Sequence, residues 1–420
     1  MAAELLKLVQ SVRRASRLTA KLTTAQKNQA LQSMNDHLLK NQQEILRANE
    51  QDVQTGREKG LSGAMLDRLA LSAKRLQAMA AAMREVMHLP DPVGILSDFR
   101  IRPNGLQIAK MRIPLGVIAI IYEARPNVTT DAVALCIKSG NSVLLRGSSE
   151  AYASNYAIMQ ALQDGLAQSG LERSAATLLP ASDRQAMVPL LKMDTLIDLV
   201  IPRGGEGLIR FVAENSRIPV IKHYKGICHL YVDQDANVDM AVRLLIDGKT
   251  SRPGVCNALE TLLVHEKMAD RFLPLAAAAL AKKGVEIRGC VRTCALIPSS
   301  VAVEEEDYDR EYLGLVLSVK IVANYDEAVA HIERHGSDHT EVIVTNNLQT
   351  GQRFIHDVNS SSVMINASSR FADGGELGLG AEIGISTTKL HAYGPMGLES
   401  LTTQKFVVLG DGQTRHPVDL

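Results

Sequence analysis

The sequence has no excess of either charge: Lys+Arg and Asp+Glu number 46 each across 420 residues. That balance removes the electrostatic argument for nucleic acid or an anionic membrane as partner, and leaves a small molecule as the default. No apolar run approaches the roughly 18 residues that a membrane-spanning helix needs, so a soluble protein is expected. Cysteine is scarce. The five residues Cys136, Cys228, Cys256, Cys290 and Cys294 are odd in number and irregularly spaced, which suits a reducing compartment better than a disulfide framework. Cys290 and Cys294 have no histidine or cysteine pair at zinc spacing nearby, so the metal signal is weak and none is expected. What the chain has in quantity is ordinary globular composition, 46% hydrophobic and 22% charged. Its length suffices for two or three domains with substantial cores.

The N-terminal residues Leu5, Leu6, Val9 and Val12 with Arg13, Arg14 and Arg17 could pass for an Arg-rich transit segment. Glu4 and the helical periodicity through Leu18 favour a first structural helix instead, and a cytoplasmic protein. From Thr24 to about Met87 the pattern is successive amphipathic helices, broken most clearly at Gly60-Leu61-Ser62-Gly63. After Pro90-Asp91-Pro92, two extended runs, Ile95 to Arg102 and Leu106 to Ile113, flank the turn Pro103-Asn104-Gly105. Asn-Gly between alternating runs predicts a hairpin. A two-stranded ribbon is marginal alone, so it pairs either with a partner subunit or with its own domain.

Strand and helix then alternate. Val117 to Tyr122, Ser142 to Leu145, Thr177 to Leu179, Leu196 to Ile201 and Ile218 to Ile221 read as buried strands. Thr129 to Lys138, Ala151 to Gln168, Gln185 to Met193 and Glu206 to Asn215 read as helices. Five short strands separated by helices imply a parallel, doubly wound sheet, with ligands beyond the carboxyl ends of its strands. One such end is Pro202-Arg203-Gly204-Gly205-Glu206-Gly207, either a tight turn or a loop baring N–H groups to an anion. Another is Arg146-Gly147-Ser148-Ser149, where an arginine and hydroxyls suit a 2′-phosphate better than a bare ribose. If this sheet binds a dinucleotide, NADP is expected; otherwise Arg146 is a solvated loop residue.

A second α/β series follows, with strands at Leu230 to Val232, Thr261 to Val264, Val316 to Val322, Val342 to Thr345 and Ser362 to Ile365. Near its start lies Thr250-Ser251-Arg252-Pro253-Gly254-Val255-Cys256-Asn257, a Pro-Gly turn carrying one cysteine before the helix-compatible run Asn257 to Glu260. A helix N-terminus there would lower the thiol pKa and offer N–H groups to an oxyanion. The plainer alternative is a small apolar residue filling a turn.

Four stretches lift the nucleophile reading: Ile113-Pro114-Leu115-Gly116-Val117, Tyr122-Glu123-Ala124-Arg125-Pro126-Asn127, Ser251 to Asn257, and Glu311-Tyr312-Leu313-Gly314-Leu315-Val316. With Phe371 to Gly378, they make the chain resemble the aldehyde dehydrogenase superfamily over nearly its full length, and within it the acyl-phosphate reductases of proline biosynthesis. The resemblance implies an α/β, aldehyde-dehydrogenase-like fold of two doubly wound parallel-sheet domains with a protruding oligomerisation hairpin. Residues 1–94 and 114–224 would form the NADP-binding domain and 225–396 the catalytic domain. Residues 95–113 and 397–420, including Phe406 to Leu409, would be oligomerisation elements. Cys256 matches the catalytic cysteine. Glu311 matches the glutamate at the nicotinamide ribose. Arg146, with Ser148 and Ser149, falls at the adenosine ribose, and Gly204 and Gly205 in the loop beside the cofactor. Glu123, Arg125, Asn127, Arg252 and Arg370 are candidates for the substrate's polar groups.

The implied activity is NADPH-dependent reduction of L-glutamate 5-phosphate to the 5-semialdehyde and phosphate through a Cys256 thioester. The implied partners are a second copy of the chain and the kinase that makes the acyl phosphate. The chain departs from the superfamily's oxidising members at Ile221-Lys222-His223-Tyr224-Lys225, where those members carry a water-activating glutamate. Three rivals stand beside this reading: a hydrolytic dehydrogenase, a cofactor-free cysteine hydrolase pairing Cys256 with His223 or His391, and a binding protein that keeps the dinucleotide fold without catalysis, which would have no use for the Arg-Pro-Gly-Val-Cys turn.

Overall fold

Hydroxyl side chains start the early helices. Thr23 accepts the Gln26 N–H while the Gln26 side chain returns to the Thr23 N–H, a capping box that opens α2 (Thr24–Lys40) after α1 (Ala2–Thr19). After α3 (Gln42–Glu58), Ser62 and Ser72 cap α4 (Gly63–Leu69) and α5 (Ala73–His88) in turn. The computed structural model describes residues 2–180 and 187–416. They form two compact units: Met1–Lys222 with Leu379–Gly384 and Met396–Leu420, and His223–Gly378 with Ile385–Pro395. Among the described residues no helix is long and apolar enough to cross a membrane.

The first unit contains the expected hairpin, β1 (Leu96–Ile101) and β2 (Gln107–Pro114). Gly105 sits at φ 86° in its turn, a conformation open to glycine. The pairing partner is the chain itself: the strand Thr402–Leu409 runs antiparallel to β2 from Thr402↔Pro114 to Leu409↔Gln107. Behind it lies a parallel sheet of β3 (Val117–Tyr122), β4 (Ser142–Arg146), β5 (Ala176–Leu178) and β6 (Leu199–Arg203), in the order β5-β4-β3-β6. Helices on both faces explain why these strands are apolar without alternation. The fifth expected strand, Ile218 to Ile221, is only a bridge between Val200 and Val220. Pro219 accepts the Val200 N–H but has none to donate, so the ladder stops there.

The connecting helices are α6 (Asn127–Lys138), α7 (Tyr152–Gln168), α8 (Met187–Leu191) and α9 (Glu206–Asn215). The start of the helix expected at Gln185 lies outside the described residues. Helices α2 and α7 meet backbone to backbone at Gly165, where a Cβ would stand 2.5 Å from Met34 Cα.

In the second unit seven strands lie in the order β10-β9-β11-β8-β7-β12-β13, every pair parallel. They are β7 (Cys228–Val232), β8 (Leu259–His265), β9 (Glu286–Gly289), β10 (Val301–Ala302), β11 (Val316–Val322), β12 (Thr340–Val344) and β13 (Ser362–Ile365). Alternate residues serve opposite faces. Leu230, Val232, Leu262 and Val264 join Ala241 and Leu245 of α10 (Val238–Thr250) and Phe272 of α11 (Glu266–Ala281) in one core. Tyr231, Leu263 and Ile343 join Ala328 and Ile332 of α13 (Tyr325–His335) and Phe354 of α14 (Leu348–Asp357) in the other. The sequence pattern did not announce β9, the short α12 (Val291–Leu296) or β10. Ile287 is the only branched apolar residue of β9, and two-residue β10 has no period to detect.

The Gly165 contact generates a test. Gly165→Ala forces a methyl group into the α2 backbone, an overpacking that costs about 1–3 kcal/mol, and should move the urea unfolding midpoint of the first unit downward without changing the substrate or cofactor constants.

Candidate active site

Cys256 lies on the turn between α10 and β8, half-buried, with the Ala258 N–H donating to Val255 O at 3.0 Å. The helix expected to follow it is absent: Leu259 and Glu260 already belong to β8. The short apolar run suited either structure, and parallel pairing with β7 and β11 decided for the strand. The helix that is present, α10, ends before the cysteine, so no helix begins at this turn.

Several contacts hold the backbone of the cysteine turn. Gly226 lies so close that a Cβ on it would be 2.0 Å from Cys256 O. The Cys228 thiol, fully buried and pushed well up by burial and by Glu341, donates to Cys256 O at 3.2 Å. On the next residue, Asn257 Nδ2 donates to Ala372 O at 3.0 Å and Arg370 O at 3.4 Å, while Ser369 Oγ donates to Asn257 O at 2.7 Å. Asn257 thereby ties residues 369–372 to the cysteine turn. Among the described residues, Arg370 Nη1 and Asn257 Oδ1 are buried without a hydrogen-bond partner in the protein. Arg252, by contrast, is exposed.

Glu311 joins this group through Gly226, whose N–H donates to Glu311 Oε1 at 3.1 Å. The acidic run before it is spent elsewhere. Asp307 pairs with Arg288 at 2.8 Å, and His335 Nδ1 lies 2.8 Å from Asp309. Beneath the turn, Glu260 and Lys249 form an ion pair of 2.6 Å with both side chains fully buried. Burial pushes the Glu260 carboxyl up to about 7, against the pull of the Lys249 ammonium. Gly226, Cys228, Lys249 and Glu260 escaped the sequence reading. One signal was available, a single glutamate inside the apolar run Leu259 to Val264, since a charge in such a strand is buried and needs a partner. His223 Nδ1 donates to Ile385 O at 3.0 Å.

In the first unit, β4 ends at Arg146. A Cβ on Gly147 would be 2.3 Å from Asn155 Nδ2. Asn155 Nδ2 and Ser148 Oγ are buried and have no hydrogen-bond partner in the protein. Asn155 Oδ1 accepts from Thr129 Oγ1 at 3.1 Å, and Thr129 meets Tyr122 OH at 2.7 Å. Ser149 opens a short 3₁₀ turn before α7. The α7 N-terminus is already filled: Asp52 accepts the Ala153 and Ser154 N–H groups at 3.3 and 2.7 Å, and burial outweighs these bonds to push its carboxyl up.

The second loop is likewise partly occupied. Glu123 Oε2 accepts the Gly205 N–H at 3.0 Å, and a Cβ on Gly204 would be 2.7 Å from Glu123 Cδ. Glu123 thus sits on the Gly204-Gly205 loop at the start of α9. Arg125 and Asn127 are exposed at the start of α6, where Asn127 Nδ2 donates to Asp131 at 3.1 Å.

Residues 1–288 match the model of the aldehyde dehydrogenase family. The chain is 56% identical over 404 residues to a gamma-glutamyl phosphate reductase of Xanthomonas campestris pv. campestris, covering 96% of this chain and 98% of the relative. It is 58% identical over 405 residues to one of Salinibacter ruber, covering 96% and 93%. The crystal structure of gamma-glutamyl phosphate reductase from Thermotoga maritima matches at a TM-score of 0.97 and 44% identity, over 98% of this chain and 100% of that one. Fold, cysteine turn and full-length similarity agree: the chain belongs to the aldehyde dehydrogenase family, in its gamma-glutamyl phosphate reductase branch.

Proposed function

We propose that the chain reduces L-glutamate 5-phosphate to L-glutamate 5-semialdehyde with NADPH, in L-proline biosynthesis, and that Cys256 is the nucleophile. The single observation that carries this is Cys256 on a turn fixed by Gly226, Cys228 and Asn257, in a chain of this family. The Cys256 thiolate attacks the acyl carbon, the C–O bond to phosphorus breaks, and inorganic phosphate leaves a thioester behind. NADPH, when bound, supplies the hydride that reduces that carbonyl. Protonation and C–S cleavage then return the thiol and free the semialdehyde.

Arg146, Ser148 and Ser149 are the residues we assign to the adenosine ribose and its 2′-phosphate. The orphaned Ser148 Oγ and Asn155 Nδ2 around Gly147 fit a hydroxyl-rich, anionic group. Gly204 and Gly205 would border the cofactor, and Glu311 would hold the nicotinamide ribose. Arg370, with its buried, partnerless Nη1, is favoured over exposed Arg252, Arg125 and Asn127 for an anionic group of the substrate. Glu123 is better read as a support of the Gly204-Gly205 loop.

The domain roles follow: 1–94 and 114–224 bind NADP, 225–396 carry the chemistry, and 95–113 with 397–420 make the oligomer. Phe99, Ile101 and Phe406 are 62%, 66% and 64% exposed on the three-stranded sheet, the kind of apolar surface a second copy would cover. Acyl phosphates hydrolyse readily, which favours delivery from an associated glutamate 5-kinase in the cytoplasm.

Against the hydrolytic rival, both carboxylates tied into the cysteine turn are engaged: Glu260 with Lys249 and Glu311 with the Gly226 N–H. General-base help to water is worth roughly 10²–10⁴-fold, so its absence protects the thioester. Semialdehyde oxidation by NADP should therefore be slow in phosphate-free buffer and start on addition of phosphate or arsenate, followed as NADPH absorbance. Rapid phosphate-independent turnover yielding glutamate would restore the hydrolytic reading.

Two substitutions test the assignments. Cys256→Ala should abolish turnover while leaving NADPH binding near wild type in a fluorescence titration; Cys290→Ala and Cys294→Ala should retain activity. Arg146→Ala should raise the KM for NADPH by about one to two decades, the scale of a charge-assisted contact, and leave that for NADH little changed. Equal losses for both cofactors would move Arg146 off the 2′-phosphate.

A further inference from the structure

Residues 311–313 are gripped at three points within the second unit. Glu311 Oε1 accepts the Gly226 N–H at 3.1 Å. The Tyr312 ring has Lys249 Nζ at 5.8 Å and Arg288 Cζ at 5.4 Å from its centroid, and its hydroxyl lies 2.8 Å from Ser318 Oγ. Leu313 holds φ 54°, the left-handed region that a leucine avoids, and its N–H donates to Glu260 Oε1 at 3.4 Å. The other oxygen of Glu260 is the one paired with Lys249.

A buried ion pair is a poor way to stabilise a fold, since apolar side chains of like volume often do as well or better. This pair does something apolar side chains cannot: one of its oxygens is the acceptor for a strained backbone N–H. Strained conformations persist where the surroundings over-determine them, and Glu260 is part of what determines this one.

We propose that Lys249 and Glu260 are positioning residues that fix the backbone of residues 311–313 and thereby set the Glu311 carboxylate for the cofactor. This rests on the reading that Glu311 holds the nicotinamide ribose. Lys249 orients Glu260 and Glu260 holds Leu313 in its left-handed turn. That turn places Glu311 on the Gly226 N–H, and Gly226 abuts the Cys256 carbonyl. The charge pair thus sets the ribose carboxylate, while Cys228 and Ser369 hold the backbone of the cysteine turn independently of it.

The test is a Lys249→Met/Glu260→Met double variant, which exchanges the pair for apolar side chains of similar length. It should unfold at or above the wild-type midpoint, yet show a KM for NADPH raised roughly tenfold, the scale of one lost hydrogen bond. Its kcat should fall by less than that factor, and iodoacetamide should alkylate Cys256 at the wild-type rate. Lys249→Met/Glu260→Gln, which keeps an acceptor for the Leu313 N–H, should recover most of the KM. A Met/Met variant that folds and keeps the wild-type KM overturns the proposal. If that variant folds poorly, Leu313→Pro decides. Leu313 is exposed and the buried pair stays intact, but proline cannot hold φ 54° and has no N–H for Glu260, so the KM should still rise; an unchanged KM overturns the proposal. Glu311→Gln separates the two claims. No effect on NADPH there overturns the ribose reading, whereas an effect there with none in the pair variants overturns the positioning role alone.

Discussion

The absence of a side chain at residue 226 is the constraint on which the second unit's site depends. With a Cβ standing 2.0 Å from Cys256 O, any other residue would push the Cys256 backbone away from β7. The same residue's N–H holds Glu311, so one glycine positions Cys256 and Glu311 at once. Cys228, two residues on, donates to the same Cys256 carbonyl. The thiol's placement is thus a property of the junction into β7 as much as of the turn that carries it.

The two anion-binding opportunities in the first unit share a different logic. Helix N-termini attract anions, but here the protein supplies its own: Asp52 at α7 and Glu123 at the loop before α9. What remains for a ligand near Gly147 is side-chain chemistry, a hydroxyl and an amide buried without partners. Recognition through a few fixed side chains discriminates between ligands more sharply than a generic dipole does.

Much of this was readable beforehand because it depends on local chemistry. The Asn-Gly turn, the unbroken apolar runs of β3 and β4, and the Pro-Gly turn before Cys256 each carry their cause within a few residues. Tertiary causes were not readable. Whether Asn257 to Glu260 winds or extends is decided by parallel pairing with strands far along the chain, and nothing in Ile218 to Ile221 except Pro219 warns that the ladder ends. The Lys249–Glu260 pair joins a helix to a strand. Only the glutamate, isolated among apolar neighbours, hints that a partner exists, and it does not say which.

The strand Thr402–Leu409 closes on β2 across almost the whole intervening chain. During synthesis the hairpin therefore emerges long before the strand that completes its sheet. Until then β2 presents an unpaired, partly apolar edge, a template for pairing with another nascent chain. Contacts of such sequence separation form slowly, since their loop-closure entropy must be met first. Arrival of the strand Thr402–Leu409 thus sets when this edge becomes safe from its own kind.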